Sequence, residues 1–225
     1  MNKLIKTIIL MMFLIAVFIS DLSAKTEAVK KSQQESKIAP LHEAAMYGKD
    51  DTVKQLLDKD EDVNLKDPEG RRPLHYAAMY GNAKTGEVLL DKGAKSEAKT
   101  ENDKTPLHYA AMYGHEKIAK LLIDNGVDVN VKDKEGRMPI HFAAMYGHEK
   151  VGKLLMDKGA KIDAAAEEGK LPLHYAAIYG HTEIAKMLLA KGAKANAKDK
   201  EGKTALDYAA IYGHEKVAEL VLKKK

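Results

Sequence analysis

The pair Leu-His returns every 33 residues, at Leu41-His42, Leu74-His75, Leu107-His108, Ile140-His141 and Leu173-His174, and then as Leu206-Asp207. Its fullest setting is T-P-L-H-Y-A-A-M-Y-G, from Thr105 to Gly114. A unit of this size cannot bury an apolar face by itself, so a chain made of copies has to stack them and bury its core between neighbours. The period therefore predicts a single solenoid array over residues 39–225, with units starting near residues 39, 72, 105, 138, 171 and 204.

Each unit reads as two helices and a turn. Pro73 stands where the first helix begins, a place that suits a fixed φ and a missing donor. Leu74, Ala77, Ala78 and Gly81 then fall at i, i+3, i+4 and i+7, a stripe of mostly small residues that lets a second helix come close. That second helix is expected over Glu116–Asp124 in the third unit, with Ile118, Ala119, Leu121 and Leu122 facing inward and Gly126 ending it. Asp60 replaces this glycine in the first unit. The connecting stretch Val129–Arg137 has turn chemistry, opened by Asp133 and closed by Gly136. Asp103 and Ala166 depart from that pattern, so those two turns are expected to be shaped differently. The last unit puts Ala205 and Asp207 in place of Pro and His and ends in three lysines, which reads as a polar cap.

These residues resemble the ankyrin-repeat family, whose T-P-L-H-x-A pattern and period they match over roughly Pro40 to Val221. The resemblance implies an all-α solenoid of about six helix-turn-helix units joined by protruding, hairpin-like fingers. It also implies a protein that is not an enzyme and that binds other proteins.

Ahead of the array, Lys3 and Lys6 precede an apolar run from Ile8 to Ile19 and small residues ending at Ala24. This is the layout of a signal peptide with cleavage after Ala24; the run is short for an uncleaved anchor, which wants about 20 apolar residues. No cysteine is present, so neither a lipid-modified signal nor a disulfide is available. Residues 25–38 are polar and read as a flexible leader or a short cap over the first unit. The mature protein is expected to be exported, periplasmic or secreted, with bacterial provenance resting on the lysine-rich signal and the absence of cysteine. No membrane span is expected after cleavage, and a monomer is expected.

Chemistry finds few candidates. All nine histidines lie in register, five after the Leu/Ile and four (His115, His148, His181, His214) after the glycine, so none is left over for a metal or a catalytic role. The mature chain keeps only Ser32, Ser36 and Ser96, none beside a base. The D-K-E-G runs at Asp133 and Asp199 lack the alternating oxygen ligands of a calcium loop. With 37 basic and 33 acidic residues interspersed, the charge is too balanced for a nucleic-acid footprint. No cofactor is expected.

The tyrosines are in register too. Tyr76, Tyr109, Tyr175 and Tyr208, with Phe142, follow the Leu/Ile-His or Leu-Asp pair and are expected to be scaffold. A second column precedes the glycine, including Met79 and Tyr80, Met112 and Tyr113, Met145 and Tyr146, and Ile178 and Tyr179. On a helix these lie opposite the small-residue stripe, and the resemblance places them on the concave face where such proteins meet partners. Six tyrosines at helix spacing would form a ladder on the order of 50 Å long. Tyrosine and methionine are favoured in interfaces, so this column is either a binding face or a relic of duplication. In the fingers, Arg71, Lys104, Arg137, Lys170 and Lys203 form a cationic column, expected to be a solvated rim that orients a partner or a set of neutralised pairs; Arg137 and Lys170 are its candidate contacts. The function that follows is an exported module recognising a protein through its concave face, with a self-assembling scaffold or spacer as the alternative. A chaperone-like or inhibitory partner of an exported enzyme is a narrower version of the first.

Overall fold

The computed structural model describes residues 38–224, so the expected signal segment and nearly all of the leader lie outside the described residues. Within them the chain forms twelve helices and no strand. They come in six pairs: α1 (Pro40–Met46) with α2 (Asp50–Leu57), α3 (Pro73–Tyr80) with α4 (Ala83–Asp91), and α5 (Pro106–Tyr113) with α6 (Glu116–Asp124). The series continues with α7 (Pro139–Tyr146) and α8 (Glu149–Asp157), α9 (Pro172–Tyr179) and α10 (Thr182–Ala190), and α11 (Ala205–Ile211) and α12 (Glu215–Leu222). First helices pack on first helices of adjoining units and second helices on second, giving two layers.

The core lies where the small-residue stripe meets the second helix. Leu107, Ala110 and Ala111 on α5, and Ile118, Ala119 and Leu122 on α6, are fully buried. Helices of eight or nine residues are too short to persist alone, so stacking is what keeps them folded.

Histidine fastens the inner units twice. The Nδ1 of His108 accepts the backbone N–H of Thr105 at 3.0 Å, closing the start of α5, while its Nε2–H donates to the carbonyl of Arg137 in the next finger at 3.1 Å. His75, His141 and His174 close their helices in the same way, while their Nε2–H donates to the carbonyls of Ala98, Ala164 and Ala197, just ahead of the next finger; His75 also reaches Lys104 within it. With one ring nitrogen accepting and the other donating, each imidazole is neutral, and burial pushes His75, His108 and His141 down to about 4. The other histidines reach backwards: His115, His148, His181 and His214 donate to the carbonyls of Met79, Met112, Met145 and Ile178, and Asn82 does the same toward Ala45 and Met46.

That second fastening explains the glycine after the tyrosine in the first five units. Gly114 has φ +75°, and a Cβ there would stand 2.4 Å from His148 Nδ1, so both backbone and space exclude a side chain. Gly126, at φ +83°, has nothing within 4 Å. Gly114→Ala is therefore expected to lower stability by at least about 2 kcal/mol and Gly126→Ala by only about 1, measured by urea unfolding. Equal losses would show that the imidazole adds nothing to the requirement.

Several departures resolve themselves. Asp60 and Asp103 keep the left-handed backbone, at φ 63° and 57°, without glycine. The fingers at Thr100 and Ala166 are not differently shaped: all five close with the same backbone bond, Thr100 N–H to Lys104 at 3.0 Å and Ala166 N–H to Lys170 at 3.0 Å among them. A main-chain turn sets their form, so the side chain at the first position is free to vary. The last unit is less polar than its sequence reads. Asp207 does bond the backbone and hydroxyl of Thr204, yet Ile211 and Leu222 are more than half exposed.

Candidate functional site

The tyrosine column is held from behind. Four of the six first helices end at their tyrosine, Tyr80, Tyr113, Tyr146 and Tyr179, and the carbonyl of the Met or Ile just before it is taken by the next unit's histidine, which fixes the backbone that carries the ring. Tyr80, Tyr113, Tyr146 and Tyr179 are 51, 46, 48 and 51 % exposed. Three of them lie nearly parallel to the next histidine in sequence, Tyr113 on His115, Tyr146 on His148 and Tyr179 on His181, with centroids 6.3–6.5 Å apart. Met79, Met112, Met145 and Ile178 are half-buried between units, so the column is a row of outward rings on an apolar base.

The fingers behave otherwise. Arg137 bonds Asp133 through Nε at 3.0 Å and Glu135 through its guanidinium at 2.7 Å, and lies over the Phe142 ring at 4.9 Å. Lys170 is buried, paired with Glu168 and 3.9 Å from Asp199. Of the two expected readings, the neutralised pairs hold and the solvated rim does not: both cations are engaged inside the chain and mostly covered. Burial would lower the Lys170 ammonium, but Glu168, Tyr208 and Asp199 hold it well above its ordinary value. Burial would likewise raise the Asp133 carboxyl, yet the hydrogen bonds and charge of Arg137, with Lys104, keep it below the usual range.

One depression brings the two columns together. About 340 Å³ in volume, it is lined by Glu135, Arg137, Met145, Glu167, Tyr175 and Tyr179. Three of the expected contact positions, Arg137, Met145 and Tyr179, lie on its wall, whereas Lys170 is buried in the same finger as Glu167 and does not line it. The other clefts lie on the second-helix side, around Gly180 and His214 or Lys84 and Lys120, and have no aromatic column. Among the described residues no group of three His, Asp or Glu is placed to hold a metal ion, and no helix is long and apolar enough to cross a membrane.

A two-unit alternation was missed in the sequence reading. Buried aspartates stand at Asp67, Asp133 and Asp199, 66 residues apart, with Thr100 and Ala166 between them. The aromatic ring beside each aspartate, Tyr76, Phe142 or Tyr208, is buried under cations; Tyr109 and Tyr175 in the alternate units are half-exposed. Tyr76 and Tyr208 donate their hydroxyls to Asp67 and Asp199. Gly86 and Gly152 alternate with Ala119 and Ala185 in the second helices, and a Cβ on Gly86 would meet Ile118 Cδ1 at 2.9 Å. Comparing each unit with the next but one, rather than the next, would have revealed it.

A search of curated proteins returned no match for the chain. The family model described as ankyrin repeats in three copies matches it in overlapping stretches, residues 17–100, 41–133, 95–166 and 140–225. Ankyrin repeats are in general protein–protein interaction modules, and proteins built of them are typically non-enzymatic scaffolds. With its 33-residue helix pairs, left-handed glycines and finger-locking histidines, and with a family model covering most of its length, the chain belongs to the ankyrin-repeat family.

Proposed function

We propose that the chain is an exported, non-enzymatic binding module that recognises a partner protein through its tyrosine face, the concave face expected from the family resemblance. The observation that carries this reading is the row of half-exposed rings on a backbone fixed from behind. Rings held in place lose little freedom on binding, and a partner needs only to cover them. Export is supported by Lys3, Lys6, the apolar run and the small residues up to Ala24.

The test starts from the native exported fraction, periplasmic or extracellular. The protein recovered there is expected to lack Met1–Ala24 by intact mass and to bring down a protein partner. Tyr113→Ala and Tyr146→Ala should each weaken that complex at least about tenfold, the loss typical of a central aromatic anchor. A complex unchanged by both substitutions, or a hydrolase or metal-dependent activity of the purified protein, would overturn the reading.

A further inference from the structure

The fingers form a ladder of their own. Glu101 N–H donates to Glu69 O at 3.1 Å, Lys134 to Asn102 at 3.2 Å, Glu167 to Glu135 at 2.8 Å and Lys200 to Glu168 at 3.1 Å. These four donors sit at the finger tips, all exposed, and none is in an ion pair. Their signs run minus, plus, minus, plus. The acids one position further on cannot blur this, because Glu69, Glu135, Glu168 and Glu201 are each paired with a cation of their own finger.

The flanking exposed charges deepen the pattern. Lys132 adds to Lys134 and Lys198 to Lys200, whereas the Glu167 finger has Ala165 at that place. In the Glu101 finger, Lys99 is outnumbered by Glu101 and Asp103. A row of four alternating charges is self-complementary under a two-fold axis through its centre: Glu101 meets the partner copy's lysine finger at the far end, and Lys134 meets the acidic finger beside it.

We infer that the finger edge is a self-recognition surface on which a second copy of this chain docks antiparallel, in the register fixed by these alternating tips. The occupant is chosen by charge complementarity, since the edge matches its own reversed copy at four places. Exposed ion pairs contribute little each, so their work is to favour the full antiparallel register, which alone matches all four tips, over in-register parallel and one-finger-shifted antiparallel pairings that set like charges together, while the neighbouring tyrosine and finger surface supplies contact area. The inference departs from the monomer expected from the sequence, and it rests on the reading of this face as protein-binding.

Sedimentation equilibrium of the purified protein is expected to show a dimer that weakens as salt rises. Lys134→Glu with Lys200→Glu makes all four tips acidic and should raise the dimer dissociation constant at least about tenfold; Glu101→Lys with Glu167→Lys should do the same with opposite sign. The decisive arm mixes the two variants in equal amounts, at a concentration where each alone is monomeric: together they form a heterodimer. Misfolding cannot produce that rescue. A wild-type protein that stays monomeric at every soluble concentration, or variants that fail to pair when mixed, would overturn the inference while leaving the tyrosine test untouched.

Discussion

Acidification from pH 6.5 to 4 is expected to unfold the array. In the unfolded chain each imidazole takes up its proton near pH 6.5, but in the folded array burial holds His75, His108 and His141 neutral down to about 4. Between those values the unfolded state binds more protons, so stability falls as the pH falls, and the full contribution is present only above 6.5. A depression of this size corresponds to about 3 kcal/mol for each ring, or on the order of 10 together, which matches the whole stability of an ordinary domain. His42 and His174 are lowered in the same sense, also chiefly by burial, and add to the loss. The cause is geometric: a proton on Nδ1 of His108 has to displace the N–H of Thr105. Helical circular dichroism followed against pH should show its midpoint between 4 and 6.5. A midpoint below about pH 3.5 would assign acid unfolding to the carboxylates Asp67, Asp133 and Asp199 instead, which are held low in the fold.

Leu107→Ala should remove about 2–5 kcal/mol, because Leu107 is fully buried at the start of α5 in the middle of the stack. Stability in a stack is a sum of unit and nearest-neighbour contributions, so a lesion there also uncouples the units before it from those after it. Urea unfolding is expected to broaden or split into two steps. Tyr113 sits six residues on along the same helix, 46 % exposed, and its truncation should cost less than about 1.5 kcal/mol. The two substitutions share a helix and a target residue and differ mainly in burial. If Tyr113→Ala melts the protein as Leu107→Ala does, the tyrosine column is scaffold and the fingers are the better place to look for a partner.

Fold and site were not equally legible. The 33-residue period located every helix pair, because a unit that must stack repeats its stripe and its punctuation, and helix starts at Pro73, Pro106, Pro139 and Pro172 fell where proline is best tolerated. The register of the histidines showed that they belong to the scaffold, but not that the two sets lock in opposite directions along the stack, since which carbonyl lies within 3 Å of a ring depends on three-dimensional stacking. Lys170 could not be placed from sequence: a lysine two residues after a glutamate reads as a surface pair, and only the arrival of Asp199 from the next finger explains its burial. Helix geometry set the tyrosines opposite the stripe but put Tyr76, 4 % exposed, on the same side as Tyr80, 51 % exposed; the family resemblance is what told the two columns apart. The two-unit alternation escaped because Asp67, Thr100, Asp133 and Ala166 all fit one turn, and a main-chain hydrogen bond hides the difference.

That alternation sets a parity rule for the length of the array. Gly86 receives Ile118 from the unit after it, and Gly152 receives Ile184 in the same way. Excising residues 105–137 would bring Gly86 up against Val151 and Gly152 in place of Ile118 and Ala119, leaving a void where the Ile118 Cδ1 methyl and the Ala119 Cβ had been. Excising residues 105–170 instead would join Gly86 to Ile184 and restore the original match. The lengths available to this chain by recombination are therefore spaced by 66 residues, and variants that gain or lose a single unit should be the unstable intermediates between them.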